Sequence, residues 1–222
     1  MKALRFAALL FVCAFILSSC AASEKNDVYY IHACGFDERN DRLIFTVLLE
    51  KSISENEEDS VNGKDNGITG MSDNENAVDA KYFTDSFDGE NIGKCAQSFF
   101  EKYPDCYSGK NDVYLFSESL DAKKLYDIAV YIPSVPGLPA GSSAVCVSSV
   151  SCSELLEKVA KDENLAALKF EKENQKVNAV RFFAMCTSPN KKVKIPILKY
   201  GKNANIYFDG KATYKNCAVV TG

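Results

Sequence analysis

One histidine and nine cysteines carry most of the acid–base and nucleophilic potential of this 222-residue chain. His32 stands two residues before Cys34. On a strand, residues i and i+2 project from one face, so an imidazole there could take the proton of a thiol and leave a nucleophilic thiolate. The surrounding run Val28-Tyr29-Tyr30-Ile31-His32-Ala33-Cys34-Gly35 is almost continuously apolar. It favours the plainer reading, a hydrogen-bonded His inside a strand and a Cys packed as a small core residue. Other catalytic patterns are missing. There is no Gly-x-Ser-x-Gly, no His-Glu-x-x-His and no P-loop. The serines at 142–143 and 148–149 have no Lys or Gly frame around them. A carboxylate pair of the glycosidase kind stays open, because chain spacing says nothing of spatial separation. The expectation is a protein that is not an enzyme and has no metal or cofactor.

The cysteines fall at 13, 20, 34, 95, 106, 146, 152, 186 and 217, with no Cys-x-x-Cys among them, which argues against zinc or thioredoxin-like chemistry. Cys34, Cys146 and Cys186 lie in apolar stretches, so mostly free thiols are expected, with a Cys95–Cys106 disulfide left open. Cys20 has a different chemistry. Lys2 and Arg5 precede an uninterrupted apolar run from Phe6 to Leu17. As a helix, twelve residues reach roughly 18 Å, short of the ~30 Å hydrocarbon core, so the run suits a cleavable signal peptide. Its exit, Leu17-Ser18-Ser19-Cys20, resembles a bacterial lipobox. There the Cys thiol takes a diacylglycerol group as a thioether, and small residues before it admit the signal peptidase. Residues 1–19 are thus expected to be a lipoprotein signal peptide, Cys20 the lipid anchor and 20–27 a tether. Two acyl chains, at about 0.8 kcal/mol per buried CH2, would hold the chain to a bilayer.

The elements that must position these residues follow from periodicity. The run from Val28 and the run Leu43-Ile44-Phe45-Thr46-Val47-Leu48-Leu49 read as a hairpin of central strands, with the turn at 37–41. Residues 50–79 hold nine acidic and two basic side chains and read as a surface loop, too polar to offset its ordering entropy. Asp65-Asn66-Gly67 within it lacks the full ligand spacing of a calcium loop. A strand is expected over 80–87 and a helix over 91–102, where Ile92, Cys95, Ala96, Phe99 and Phe100 share a stripe. Next come a strand at 113–116 and a helix over 120–132 capped by Ser117 or Ser119. A strand at 144–150 leads into a helix from Glu154 capped by Ser151 or Ser153. A helix over 177–186 and an extended segment over 191–199 follow. Last come two short strands around Asp209-Gly210, a strong hairpin turn signal. Strands alternating with helices argue an α+β fold, a mixed β-sheet with covering helices and a C-terminal β-hairpin.

Charge is uneven. Residues 20–149 hold 11 basic and 23 acidic side chains, and residues 150–222 hold 13 basic and 7 acidic. Solvated helix faces account for this; a basic surface meeting anionic lipid or an acidic partner is the sharper alternative. A formal charge of −4 and no basic–aromatic interleaving exclude a general nucleic-acid binder.

Several segments, taken in order, resemble the C-subunit lipoproteins of bacterial spore germinant receptors, the Ger(x)C family. After the lipobox that family shows a strand ending in Gly-aliphatic-Asp, a turn and a second strand; here Ala33-Cys34-Gly35-Phe36-Asp37 precedes Leu43-Ile44-Phe45-Thr46-Val47. Asp88-Gly89-Glu90-Asn91-Ile92 is similar to its Gly turn before a helix, and Val113-Tyr114-Leu115-Phe116-Ser117-Glu118 to its next strand. Val145 to Glu157 resembles its strand and Glu-Leu-Leu-Glu helix. Ile195-Pro196-Ile197-Leu198-Lys199 and Gly210-Lys211-Ala212-Thr213-Tyr214-Lys215 resemble its proline strand and final hairpin. The chain departs from the pattern at Lys110-Asn111-Asp112, where the family carries a His, at Ile132-Pro133-Ser134-Val135-Pro136, and in the acidic insert. The likeness covers residues 28–222 and the N-terminal portion of family members. It implies a non-enzymatic partner of integral membrane receptor subunits, lipid-anchored through Cys20 on the extracytoplasmic face of the cell or spore inner membrane. A free-standing solute-binding lipoprotein is the alternative.

Overall fold

The computed structural model describes residues 28–52, 81–138, 140–141, 143–168, 177–188, 191–200, 206–215 and 217–219. Within them the expected α+β class is present, built on one eight-stranded mixed sheet. The strands are β1 (Tyr29–Arg39), β2 (Arg42–Lys51), β3 (Tyr82–Gly89), β4 (Val113–Ser117), β5 (Ala144–Ser148), β6 (Lys192–Tyr200), β7 (Ile206–Lys215) and β8 (Ala218–Val219). Their spatial order is β3-β2-β1-β4-β5-β6-β7-β8. β1 pairs antiparallel with β2 and parallel with β4, so the sheet changes character across it. The parallel block runs β1-β4-β5-β6, and antiparallel pairs flank it on both sides. The first hairpin closes through Asn40 and Asp41, both at positive φ (51° and 63°). That left-handed pair matches the strand twist in a two-residue turn, and Asn and Asp tolerate it best after Gly.

Four helices cover the sheet: α1 (Ile92–Lys102), α2 (Ala122–Tyr131), α3 (Cys152–Lys161) and α4 (Ala179–Cys186). One face packs on α1, α2 and α4 through an aromatic core. Phe36 stacks between Phe45 (5.3 Å between centroids) and Phe116 (5.2 Å), binding β2, β1 and β4 side by side. Phe99 of α1 and Phe182 of α4 close that layer against Phe45 and Phe116. The other face buries Ala33, Leu48, Leu115 and Cys146 beneath Cys152, Leu155, Leu156 and Val159 of α3. β1, β4 and β5 are buried on both faces, as their continuous apolar runs require.

The end of β1 fixes where two of those helices start. Successive strand residues point to opposite faces, and here two carboxylates use that alternation. Asp37 accepts from the backbone N–H of Cys152 (2.8 Å) and of Ser153 (2.9 Å), and from the Ser151 hydroxyl (3.2 Å). It therefore caps α3 in place of Ser151, whose own side chain makes no capping bond. Glu38 turns the other way, accepting from the Asp121 N–H (3.0 Å) and pairing with Lys124 (2.6 Å) at the start of α2. Gly35 makes the close approach of α3 feasible: a β-carbon there would lie 2.7 Å from Cβ of Cys152.

Three expectations are corrected. The α2 cap is Asp121, not Ser117 or Ser119; Ser117 instead bonds Ser119 Oγ and its N–H in a local turn. Glu50 and Lys51, read from the sequence as loop, complete β2, while residues 53–79 of the acidic segment lie outside the described residues. Asp209-Gly210 is not the hairpin turn. β7 runs through it, and the pair sits opposite the register shift between Pro196 and Leu198. Gly210 takes φ +76°, the left-handed geometry an extra residue in a bulge demands. The C-terminal hairpin is β6–β7.

Truncating Asp37 to Ala leaves two helix N–H groups without an acceptor, that of Cys152 buried and that of Ser153 partly buried. By urea denaturation it should cost about 2 kcal/mol, and Glu38→Ala less, because that pair is partly hydrated. Gly35→Ala should cost about 1–3 kcal/mol by overpacking. The Gly35→Ala/Cys152→Gly double variant should lose less than the sum of the single changes; strict additivity would deny the contact.

Candidate functional site

Cys20, with Leu17-Ser18-Ser19 and the tether to residue 27, lies outside the described residues. The other sequence candidate, His32 with Cys34, is described, and the structure separates the two. β1 carries a bulge between Ile31 and Ala33. The extra residue is His32, so the i, i+2 rule fails there. Cys34 belongs to the core layer beneath α1, α2 and α4. His32 instead meets Glu50 and Tyr82, and Tyr82 packs against the α3-side core. Burial pushes the Cys34 thiol far above its ordinary value, with Cys106 nearby adding to the effect. The thiolate–imidazole pair is therefore not assembled, and His32 is the hydrogen-bonded strand residue that the plainer reading expects.

Around His32 the chain builds a compact ionic cluster. His32 Nε2 lies 2.7 Å from Glu50 Oε2, Lys110 Nζ donates to the same oxygen at 3.0 Å, and Lys81 Nζ approaches Oε1 at 3.5 Å. Lys110 also stands over the Tyr30 ring (4.1 Å) and Lys81 over the Tyr82 ring (5.1 Å). Burial works to raise the Glu50 pKa, but the hydrogen bonds from His32 and Lys110, with their charges, hold it below its ordinary 4.5. The cluster ties β1, β2, the lead-in to β3 and the loop before β4 into one corner. β1 supplies Tyr30 and His32, β2 Glu50, and the backbone N–H of Asp112 bonds the His32 carbonyl at 2.9 Å.

Beside it opens a surface hollow of about 420 Å³ lined by Val28, Tyr30, Asp105, Cys106 and Tyr107. Tyr107 is 57% exposed and Val28 39%. Tyr107 continues the sheet beyond β4: its N–H bonds the Tyr29 carbonyl (2.7 Å), and its carbonyl accepts from Ile31 N–H (2.9 Å). A second hollow, about 340 Å³, runs along the outer side of α3 between Val150, Glu154, Glu157, Lys158 and Lys161. Among the described residues no three His, Cys, Asp or Glu side chains converge as a metal site, and no helix is long and apolar enough to cross a membrane.

The C-terminal end of the parallel strands is where α/β sheets usually receive ligands, with helix N-termini as anion sites. In this chain Asp37 and Glu38 already fill that role for α3 and α2. The positive ends of those helices are neutralised from within.

The seven described cysteines are free thiols. Cys95, at the start of α1, donates to the Leu43 carbonyl (3.5 Å), whereas Cys106 lies past the far end of that helix. The Cys95–Cys106 pairing left open by the sequence is not made, and burial raises both thiols to about 11. The sequence reading missed Glu50, Lys81 and Lys110. Glu50 looked like the first residue of an acidic run, and Lys110 is 60 residues away. The available signal was the hairpin itself, since extending β2 by one residue sets Glu50 opposite Tyr30. Comparison with protein-family models, with curated proteins and with solved structures finds no match for this chain.

The cluster gives a definite pH dependence. A carboxyl whose folded pKa is lowered stabilises the fold above its unfolded value, and that contribution disappears as pH falls through the folded value. Glu50→Gln should therefore be less stable than wild type at pH 7 and lose less stability on going below pH 4.5. Thermal melts across pH 3–7 test this; parallel curves for the two proteins would mean that Glu50 is not the titrating group.

Proposed function

We propose that this chain is a lipid-anchored extracytoplasmic protein that serves spore germination as the non-enzymatic C-subunit-like partner of integral membrane germinant receptor subunits. The anchor rests on Leu17-Ser18-Ser19-Cys20 at the exit of a short apolar run. The family assignment rests on the ordered motif series. One observation supports treating those motifs as a unit. Two of them, Gly35-Phe36-Asp37 and the Ser151-to-Glu157 helix start, are one structural device in which Gly35 admits α3 and Asp37 caps it. Motifs that far apart gain a common physical reason when each exists to receive the other.

A partner role also accords with the chemistry of the described surface. The imidazole is committed to Glu50, and the helix N-termini beside the sheet hold the protein's own carboxylates. What remains available is surface: the aromatic hollow at Tyr30 and Tyr107, and the mixed-charge groove along α3.

Metabolic labelling with palmitate tests the anchor. Wild type should carry label and stay with membranes through a high-salt wash, and Cys20→Ala should lose both. An unlabelled wild-type chain that washes off would sink the proposal. Deletion should impair nutrient-triggered germination, and detergent-solubilised spore membranes should yield two multispan proteins with the tagged chain. A nutrient that raises the Tm of the isolated chain would instead favour a free-standing solute-binding lipoprotein.

A further inference from the structure

The thiols of Cys186 and Cys217 stand apart from the other cysteines. Cys186 ends α4, and Cys217 sits in the turn between β7 and β8, at φ +62°. Both are buried in the aromatic core layer, at 7% and 3% exposure. Cys217 Sγ donates to the Cys186 carbonyl oxygen at 3.4 Å, and the two side chains lie close enough to shift each other's pKa in opposite directions. The neighbours hold them there. Phe182, one turn back on α4, packs edge-on against Tyr214 of β7 at 5.8 Å, so α4 and the β7–β8 turn are in register without any covalent link.

From this geometry we infer that Cys186 and Cys217 are a built disulfide site, closed when the chain folds in an oxidising compartment. The site goes beyond the germination reading and stands or falls independently of it. The chemistry is thiol–disulfide exchange with a small-molecule or protein disulfide as oxidant. One thiolate attacks a sulfur of the external disulfide and expels one thiolate. The second cysteine then attacks the mixed disulfide and expels the other. The two cysteines lose two electrons and two protons, and one external disulfide becomes two thiols. Contact with the Cys186 side chain holds the Cys217 thiol below the ordinary range against the opposing effect of burial. The same contact, with burial, lifts Cys186 well above that range.

Among the described residues Cys34 also has Cys106 nearby and Cys152 has Cys146, but burial raises all four of those thiols, whereas Cys217 is held low. Cys34, Cys146 and Cys152 are buried with thiols raised by desolvation, and Cys95 and Cys106 lie at opposite ends of α1. The bond would staple the short strand β8 and the end of β7, at the sheet's outer edge, to a helix already anchored in the core.

The test is redox refolding of the full chain. Protein reduced in guanidinium is diluted into a reduced/oxidised glutathione buffer, and remaining thiols are alkylated under denaturing conditions before peptide mapping by mass spectrometry. The expected product is one peptide pair joined through Cys186 and Cys217, lighter by two hydrogens, with Cys34, Cys95, Cys146 and Cys152 alkylated. The oxidised form should melt above the reduced form, and Cys186→Ser and Cys217→Ser should each abolish that difference. Alkylation of both Cys186 and Cys217 in the refolded protein, or joining of either to another cysteine, overturns the inference. Because the wild-type map is decisive alone, a variant that fails to fold does not blur the result.

Discussion

The structure depends on two adjacent carboxylates at the end of one strand. Asp37 and Glu38 are neighbours in the chain, yet the pleat sends one below the sheet and one above it. Each meets the N-terminus of a different helix, α3 and α2. A helix start has four backbone N–H groups with no partner of its own and a partial positive charge. A carboxylate fixed to the sheet answers both needs and sets the helix position at the same time. The distance in sequence is large: Asp37 is 115 residues from the N–H it receives at Cys152. A local serine cap would have stabilised α3 equally well as a helix but would not have tied it to β1.

The close seating of α3 follows from that tie. With its start held over Gly35, the helix lays Leu155, Leu156 and Val159 across Ala33, Leu48 and Leu115, covering the face that the three other helices leave bare. The opposite layer is held differently, by stacked and edge-to-face rings that run from Phe87 and Phe99 through Phe45, Phe36 and Phe116 to Phe182 and Tyr214. One side of the sheet is thus fixed by a directional cap and small side chains, the other by large rings. The chain's 14 phenylalanines, absent tryptophan, suit the second arrangement, since a ring with no polar atom needs no partner inside a core.

Much of the fold could be read from residues alone. The four helices show in the stripes of Ile92, Cys95 and Phe99, of Leu125 and Ile128, of Leu155, Leu156 and Val159, and of Phe182 and Phe183, because a buried face must repeat with the helix period. The strands show as short apolar runs between breakers. What failed was chemistry decided at a distance. The serines near α2 and α3 have the right type and position to cap, but Asp121 and the remote Asp37 take those bonds. Asp209-Gly210 has the composition of a turn, yet the same left-handed Gly serves a bulge, where Asp209 and Gly210 together face the single residue between Pro196 and Leu198. His32 and Cys34 obey a two-residue period only in a regular strand, and the inserted residue at position 32 breaks it. Glu50 was hidden because its neighbours downstream share its charge but not its place in β2.

The placement of β1 also sets an order of events during synthesis. Its first partner, β2, follows immediately through Asn40 and Asp41, so a two-stranded ribbon can close as soon as both have emerged. The second partner arrives only when Val113 pairs beside Ala33, and the layer under β1 only when Cys152 reaches Asp37. A nascent chain emerging N-terminus first therefore carries an early ribbon with two free edges, two unroofed faces and two unanswered carboxylates. It is this exposed interval, rather than the finished molecule, in which a chaperone would find the most to hold.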